Sequence, residues 1–228
     1  MIISHKYRFI FIKTFKTAGT SIEVYLSPLC GDQDVFTPIY PHVGPHQARN
    51  FRGLWNPVPE LVHNRGRDWK ALARSVLAGS RFINHLPARV VRWRIRPEQW
   101  NGYFKFCVER NPWDKTISHF HMVKDRAGGN QSWDDYFRRG RFCLNYPKYL
   151  DLNGNVIVDR VLRYETLAQD LAEVFAKLGV PFGGELGIRA KGGHRQDRTP
   201  YQEIFTPEQR RRLEQVFAPE IRLHGYTY

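Results

Sequence analysis

A polar loop with a single glycine, residues 13–21 (KTFKTAGTS), is the first segment whose composition suits ligand binding. It follows residues 7–12 (YRFIFI), an aromatic and β-branched run that favours a buried strand. Residues 21–26 (SIEVYL) then resume an apolar pattern and predict a helix. Backbone N–H groups at the start of a helix bind anions, and Gly19 lets the chain approach a phosphate closely. This strand, loop and helix therefore suit a phosphate site.

The side chains of this loop supply one cation and several donors. Lys16 adds a point charge, and Thr17, Thr20 and Ser21 add hydroxyl groups. The GxxxxGK[ST] pattern of nucleotide-triphosphate loops is absent, because here the lysine precedes the glycine. An ordinary strand-to-helix turn with solvated lysines remains the alternative to a phosphate site.

A second loop of the same kind follows another strong strand. Residues 103–109 (YFKFCVE) predict the strand, and Asn111 with Pro112 forms an N-cap and first-turn pair that predicts a helix. Arg110 lies between the two elements, where a guanidinium in front of a helix suits a phosphate, and Ser118 lies two turns into the helix. The alternative is a surface arginine paired with a neighbouring carboxylate.

Together the two loops resemble those of the sulfotransferases that use 3′-phosphoadenosine 5′-phosphosulfate (PAPS). Residues 15–21 (FKTAGTS) are similar to that family's PKTGTT-type loop, and Arg110 with Ser118 matches its strand-end arginine and the serine eight residues later. Residues 162–171 (LRYETLAQDL) resemble its RYEDL stretch, and residues 201–226 resemble its C-terminal helix and HGY ending. The likeness is greatest to the carbohydrate branch that contains heparan sulfate 2-O-sulfotransferase.

This resemblance implies a cofactor site for PAPS and for its product adenosine 3′,5′-bisphosphate (PAP). The first loop would hold the 5′-phosphosulfate, Arg110 and Ser118 the 3′-phosphate, and the basic residues 191–198 would close over the cofactor. The family often has an asparagine in that basic loop, whereas here there is only His194. The implied PAPS-binding residues are Lys16, Thr17, Ala18, Gly19, Thr20, Ser21, Arg110, Ser118, Lys191, Arg195 and Arg198.

The resemblance also implies a reaction, in which an acceptor hydroxyl attacks sulfur while a general base removes its proton. Lys16 matches the family lysine that stabilises charge on the departing phosphate. His85, within RFINHLPARVV, is the expected base because an imidazole titrates near neutral pH. Glu23 and a histidine within residues 42–63 are the alternatives.

Length and charge agree with one domain that has an anionic ligand. The chain has 228 residues and a formal net charge of +13, which points to anionic partners. We expect a single α/β domain over residues 1–228, with a three-layer P-loop-like parallel sheet and an irregular insertion at residues 28–100 on the acceptor side. No metal is implied.

Further patterns predict the location and the outer elements. The three cysteines are far apart, so we expect them to be buried and reduced in a cytoplasmic protein, and no apolar run is long enough for a membrane span or a signal peptide. Thr166 with Gln169 predicts a capping box, Thr206 with Pro207 and Gln209 predicts the start of the last helix, and Pro219 predicts the end of that helix. Trp69, Leu72, Ala73, Val76 and Leu77 share one helical face.

Two other functions remain open at this stage. A small-molecule kinase needs a magnesium carboxylate, for which Asp159 is the candidate. A basic nucleic-acid-binding module could stack bases on Phe104 and Phe106 beside Lys105, although no RNA-binding signature is present and no nucleic acid is expected. The expected partner is a hydroxyl-bearing acceptor, a glycan or glycolipid, for which Trp55 and Trp93 offer stacking faces.

Overall fold

The computed structural model describes residues 1–63, 69–187 and 199–228. The strands are β1 (Ile2–Ser4), β2 (Phe9–Ile12), β3 (Val35–Phe36), β4 (Phe104–Glu109) and β5 (Arg160–Arg163). The helices are α1 (Gly19–Leu26), α2 (Val58–His63), α3 (Trp69–Leu77), α4 (Ala88–Arg94), α5 (Pro97–Gly102), α6 (Pro112–Arg126), α7 (Trp133–Arg139), α8 (Leu167–Leu178), α9 (Tyr201–Ile204), α10 (Pro207–Val216) and α11 (Ala218–His224).

The strands form one sheet in the order β3-β1-β2-β4-β5. The two strands predicted above, β2 and β4, are parallel to each other and β5 is parallel to β4, whereas β1 pairs antiparallel with both β2 and β3. The α/β class is therefore confirmed, but the sheet is mixed because a tight turn joins β1 directly to β2. The carboxyl ends of β2, β4 and β5 share one edge, from which both candidate loops emerge.

Helices cover both faces of the sheet and make the expected three layers. Alternation along β2 and β4 sends Phe9, Phe11 and Phe106 to the face that packs on α1 and α8. Ile10 and Cys107 point to the opposite face, which packs on α4 and α5. A further cluster joins α6, α7 and α10 beyond the sheet. The cysteines are free and buried, as expected.

The insertion at residues 28–100 is more ordered than the sequence predicts. It contains β3, the short helices α2 to α4 and the first turn of α5. Pro87 precedes α4 as its N-cap and Pro97 lies in the first turn of α5. Proline fits these positions because the first helical N–H groups need no partner in the helix, so these prolines start helices and do not break them.

Three predictions about caps had different outcomes. The helix start predicted at Thr206 is confirmed, and it is held by a capping box: the Thr206 hydroxyl accepts from the Gln209 amide at 3.2 Å, and the Gln209 side chain accepts from the Thr206 amide at 3.2 Å. At Thr166 no side-chain cap bond forms, so that prediction is wrong. The helix that begins after Thr206 ends at Val216, shortly before Pro219, and Pro219 lies in the first turn of a further helix, α11, which was not predicted. Within the described residues, no helix has the length and apolarity to span a bilayer.

Candidate active site

The loop between β2 and α1 has the backbone of an anion-binding nest. Lys16 and Ala18 adopt left-handed conformations with φ of 60° and 58°, whereas Phe15, Thr17 and Gly19 do not have positive φ. Such alternation turns successive N–H groups toward one concave side, where they bind an anion. Left-handed conformations cost non-glycine residues about 1–3 kcal/mol and persist only where surrounding contacts hold them.

Hydroxyl groups hold this loop against the sheet. Thr14 donates to the carbonyl of Val108 on β4 at 2.5 Å, and its hydroxyl lies 2.8 Å from that of Thr17. Thr17 is fully buried, so its side chain serves the loop's shape while its backbone remains part of the nest. Ser21 is also buried, and Thr20 is half-buried at the start of α1.

Asn145 supports the loop from a segment that the sequence analysis did not single out. Its side-chain oxygen accepts from the Phe15 amide at 2.8 Å and its side-chain nitrogen donates to the Phe15 carbonyl at 2.9 Å. The same nitrogen lies 3.1 Å from Glu109 at the end of β4. Asn145 thus ties the first loop to the second, across 130 residues of sequence.

A fully buried ion cluster lies behind Asn145. Lys115 on α6 donates to Glu109 at 2.8 Å and to Glu220 on α11. Burial lowers the pKa of Lys115, but the two carboxylates outweigh burial, so that the pKa is raised. Glu220 also accepts from the Asn145 amide at 2.6 Å, and Tyr149 donates to Glu109 at 3.0 Å. The cluster positions the loops and has no access to a substrate.

Arg110 joins the two predicted phosphate loops. Its guanidinium donates to the Lys16 carbonyl at 3.0 Å and pairs with Asp114 at 2.6 Å. It also lies over the Tyr164 ring, 4.1 Å from the centroid. The sequence analysis left open a paired surface arginine or a site residue, and the structure shows the ion pair together with a direct contact to the first loop.

The remaining segments of the family resemblance meet at the same edge of the sheet. Ser118 is half-buried on α6, and its spacing of four residues from Asp114 places both on one helix face. Glu165, which follows β5, accepts from the Asn111 amide at 2.6 Å and from the Tyr226 hydroxyl at 3.4 Å. The segments around residues 110, 165 and 226 are therefore in contact.

His85 contacts the first loop in two ways. Its ring stacks on Phe15 with centroids 3.9 Å apart, and its Nδ1 lies 3.2 Å from the Lys13 carbonyl. A carbonyl only accepts, so Nδ1 carries the proton in the neutral ring and Nε2 keeps a free lone pair. Among the described residues no group pairs with Nε2. Burial, followed by the charge of Lys13, lowers the pKa of His85 well below 6.5.

Glu23, the alternative base, is enclosed. It has no exposed surface, and it accepts from Lys13 at 2.5 Å and from the amino group of Met1. Burial raises the pKa of Glu23, but these two cations outweigh burial, so that the pKa is lowered. Glu23 neutralises Lys13 beneath the loop and does not face an acceptor. Gly19 makes room for this pair, since a Cβ there would lie 2.8 Å from Lys13 Cγ.

The other histidines of the variable region are engaged elsewhere. Nε2 of His42 lies 2.9 Å from the His46 carbonyl, and Nδ1 of His63 lies 2.9 Å from the Pro59 carbonyl. His46 is buried against Phe36, and burial lowers its pKa to about 4. Among the described residues, none of these three histidines hydrogen-bonds to the first loop.

The family resemblance also implies a third segment, the basic residues 191–198. Lys191, Arg195 and Arg198, together with His194, lie outside the described residues.

The residues that favoured other functions have structural roles. Asp159 precedes β5, at the sheet edge opposite the loops, and accepts from the Lys105 amide at 2.7 Å and from its ammonium at 2.9 Å. This position does not suit a magnesium carboxylate. Phe106 is fully buried, Lys105 is paired, and the half-buried Phe104 ring lies under the Lys177 ammonium, 4.4 Å from the centroid, so β4 does not present the expected stacking platform for bases.

Comparison with known proteins found one curated relative and several similar structures. No family model matches the chain. An uncharacterized protein from Archaeoglobus fulgidus is 37% identical over 109 residues, which cover 46% of this chain and 89% of that protein. Because this relative is itself uncharacterized, it indicates no activity for the present chain.

The similar solved structures are distant in sequence. A mouse sulfotransferase complexed with PAP is 14% identical, with 97% of this chain and 87% of that chain covered and a TM-score of 0.46. Retinol dehydratase in complex with androsterone and inactive cofactor PAP is 16% identical, with 99% of this chain and 84% of that chain covered and a TM-score of 0.45. A sulfotransferase from Alicyclobacillus acidocaldarius is 20% identical, with 92% of this chain and 91% of that chain covered and a TM-score of 0.40. At these TM-scores the structural likeness supports no conclusion about function. The argument for a function rests on the geometry of the site itself.

Proposed function

We propose that this chain is a PAPS-dependent sulfotransferase that transfers a sulfuryl group to a hydroxyl of a carbohydrate acceptor. One observation carries the proposal: the nest at residues 15–19 contacts Arg110 through the Lys16 carbonyl and His85 through the Phe15 ring. An anion site, a second cation and a neutral imidazole thus meet at the carboxyl edge of the sheet. These are the groups that transfer from a doubly phosphorylated donor requires.

The two anion sites bind different parts of the PAPS donor. The backbone of residues 16–21 binds the 5′-phosphosulfate, with Lys16 adding a cation near the departing oxygen. Arg110 and Ser118 bind the 3′-phosphate. By the family resemblance, Lys191, Arg195 and Arg198 complete the site over the cofactor.

The reaction needs one proton acceptor and no redox partner. The acceptor oxygen forms a bond to sulfur while the bond from sulfur to the phosphate oxygen breaks, and PAP departs. The hydroxyl proton passes to Nε2 of His85, whose lone pair is available because Nδ1–H faces the Lys13 carbonyl. Lys16 stabilises the negative charge that develops on the phosphate.

The carbohydrate acceptor rests on the family resemblance and not on the two tryptophans. Trp55 donates to Glu60 at 2.9 Å and lies against the Arg94 guanidinium, and the Trp93 ring stacks on His63. Both rings therefore have partners in the protein, and we do not assign them to sugar binding. The buried free cysteines suit a reducing compartment, and we place the protein in the cytoplasm.

A transfer assay tests the proposal directly. The chain is incubated with PAPS that carries radiolabelled sulfate, without added metal, against a panel of glycans and glycolipids. Label should appear in a hydroxyl-bearing acceptor, and Lys16→Ala should slow transfer by about 100-fold or more. Lys177→Ala, which removes an equal charge on α8, should not change the rate. Magnesium-dependent phosphoryl transfer from ATP without sulfate transfer would overturn the assignment in favour of a kinase.

A further inference from the structure

Helix α2 is amphipathic, but its polar side is buried and its apolar side is exposed to solvent. Its buried residue is Glu60, whereas Val58, Leu61 and Val62 are exposed. These three apolar residues have the i, i+3, i+4 spacing of one helix face, on the side opposite Glu60. Surface helices of globular proteins normally turn such a face toward the core.

Helix α3 repeats this arrangement. The shared apolar face predicted from the sequence is only partly buried: Leu72 packs inward, but Trp69, Val76 and Leu77 are exposed, Leu77 to 88%. The inward side of the helix also includes the buried hydroxyl of Ser75. Both helices therefore present apolar side chains to solvent.

One buried arginine holds the two helices together by their polar sides. Arg94 on α4 pairs with both oxygens of Glu60, at 2.6 and 2.7 Å, and donates to the Ser75 hydroxyl at 2.7 Å. Because both inner faces meet at this guanidinium, the outward orientation is fixed by a paired, fully buried charge. We call the exposed residues Val58, Leu61, Val62, Trp69, Val76 and Leu77 the apolar surface.

Among the described residues from 37 to 97, the exposed lysines and arginines have no exposed carboxylate beside them in the sequence. Among the described residues from 37 to 97 the sole carboxylate is Glu60, which is buried in the pair with Arg94. The same part of the chain exposes Arg52, Lys70, Arg74, Arg92 and Arg96. On α3, Lys70 and Arg74 directly flank the exposed apolar face.

We propose that the apolar surface docks this protein onto a bilayer that contains anionic lipids. Apolar side chains enter the acyl boundary while lysine and arginine contact anionic headgroups, as in interfacial helices. A second copy of this chain fits poorly, because two such surfaces would bring like charges together. A soluble polyanion satisfies the cations but leaves the exposed leucines and valines in water. The proposal is independent of the sulfotransferase assignment.

Co-sedimentation of the full chain with vesicles tests this proposal. Phosphatidylcholine vesicles with about 30% phosphatidylglycerol should bind the protein, and pure phosphatidylcholine vesicles should not. The double variant Lys70→Gln and Arg74→Gln should weaken binding about ten-fold. The double variant Trp69→Ser and Leu77→Ser should weaken it to a similar degree.

Matched controls separate this surface from the general positive charge of the protein. The pair Arg138→Gln and Arg139→Gln removes equal charge from α7, and the pair Leu152→Ser and Leu223→Ser removes exposed leucines elsewhere. All four variants should keep the wild-type melting temperature, and both controls should bind like wild type. The proposal fails if the wild-type protein does not bind anionic vesicles, or if the control variants lose as much binding as the variants of the apolar surface. It also fails if light scattering shows a dimer that Leu77→Ser dissociates.

Discussion

His85 combines a left-handed backbone, with φ of 60°, with a ring clamped between the Phe15 ring and the Lys13 carbonyl. The Lys148 ammonium also donates to its carbonyl, at 2.8 Å. A non-glycine residue in this conformation needs such contacts to hold it, and these contacts place Nε2 beside the first loop. The sequence suggested a histidine here but not the tautomer, which depends on the Lys13 carbonyl.

The first prediction concerns the pH dependence of transfer. A base acts when unprotonated, and burial with Lys13 lowers the pKa of His85 well below its ordinary value. The kcat/KM of transfer should therefore stay level as pH falls through 6.5, the ordinary histidine pKa, and decline only at lower pH. This differs from the decline near pH 6.5 that an unperturbed imidazole would give.

His85→Ala should reduce turnover by about two to four orders of magnitude while PAP binding hardly changes. A steep loss of activity near pH 6.5 in the wild type, or a variant that keeps its turnover, would assign the base elsewhere.

The second prediction concerns Arg110 and the 3′-phosphate. Arg110→Ala should lower affinity for PAP about ten-fold or more and leave affinity for adenosine 5′-monophosphate nearly unchanged, because a charge-assisted contact contributes about 1.5–3 kcal/mol. Titration calorimetry with both nucleotides measures the difference. Arg210→Ala is a matched control, since Arg210 pairs with Glu214 four residues later as Arg110 does with Asp114. Equal affinities of the wild type for both nucleotides would contradict the two-phosphate site.

At the scale of elements, the start of α1 depends on the close approach of the helix backbone to the Lys13 side chain. Gly19 begins the helix above the Lys13 stem, which is held by its ion pair with Glu23. A side chain at Gly19 would push this stem and the loop apart.

The third prediction follows from this packing. Gly19→Ala would place a Cβ 2.8 Å from Lys13 Cγ, so it should destabilise the fold by about 1–3 kcal/mol and weaken PAP binding. Gly183→Ala is the control, because no atom lies within 4 Å of a Cβ there. Urea unfolding and calorimetry on both variants measure the effects. A Gly19→Ala variant that is as stable as Gly183→Ala would show that the loop tolerates the displacement.

At the scale of the whole molecule, burial of several histidines makes stability depend on pH. Burial lowers the pKa of His46 and of His119 to about 4, and it also lowers the pKa of His85 and of His224. In the unfolded chain these groups gain protons near pH 6.5, whereas the folded protein resists protonation. Stability is therefore fully present above pH 6.5 and is lost as pH falls toward the folded pKa values.

The fourth prediction measures this loss. The free energy of unfolding should fall between pH 7 and pH 5, with a slope of up to about 1.4 kcal/mol per pH unit for each titrating histidine. Urea unfolding at both values tests it, and most carboxylates remain ionised over this window. His46→Gln should reduce the slope. Equal stability at pH 7 and pH 5 would contradict the burial of these rings.

The sequence by itself determined the strand, loop and helix units that carry the candidate site. Apolar runs predicted β2 and β4, and Asn111 with Pro112 predicted the start of α6, because these signals depend on neighbouring residues. Parallel strands then required both loops to emerge at one edge of the sheet. Helical spacing of apolar residues predicted α3 in the insertion, but α2 and α4 were missed, because they bury polar side chains such as Glu60 and Arg94.

Only the tertiary structure decided how the site is held. Lys16 and Ala18 carry no local signal for positive φ, and the loop conformation depends on contacts from distant segments. Asn145 reaches Phe15 across 130 residues, and Lys115 reaches Glu220 across 105 residues. No local pattern encodes such pairs. Burial of these polar groups requires that each find its partner, and packing of the whole chain sets which partners meet.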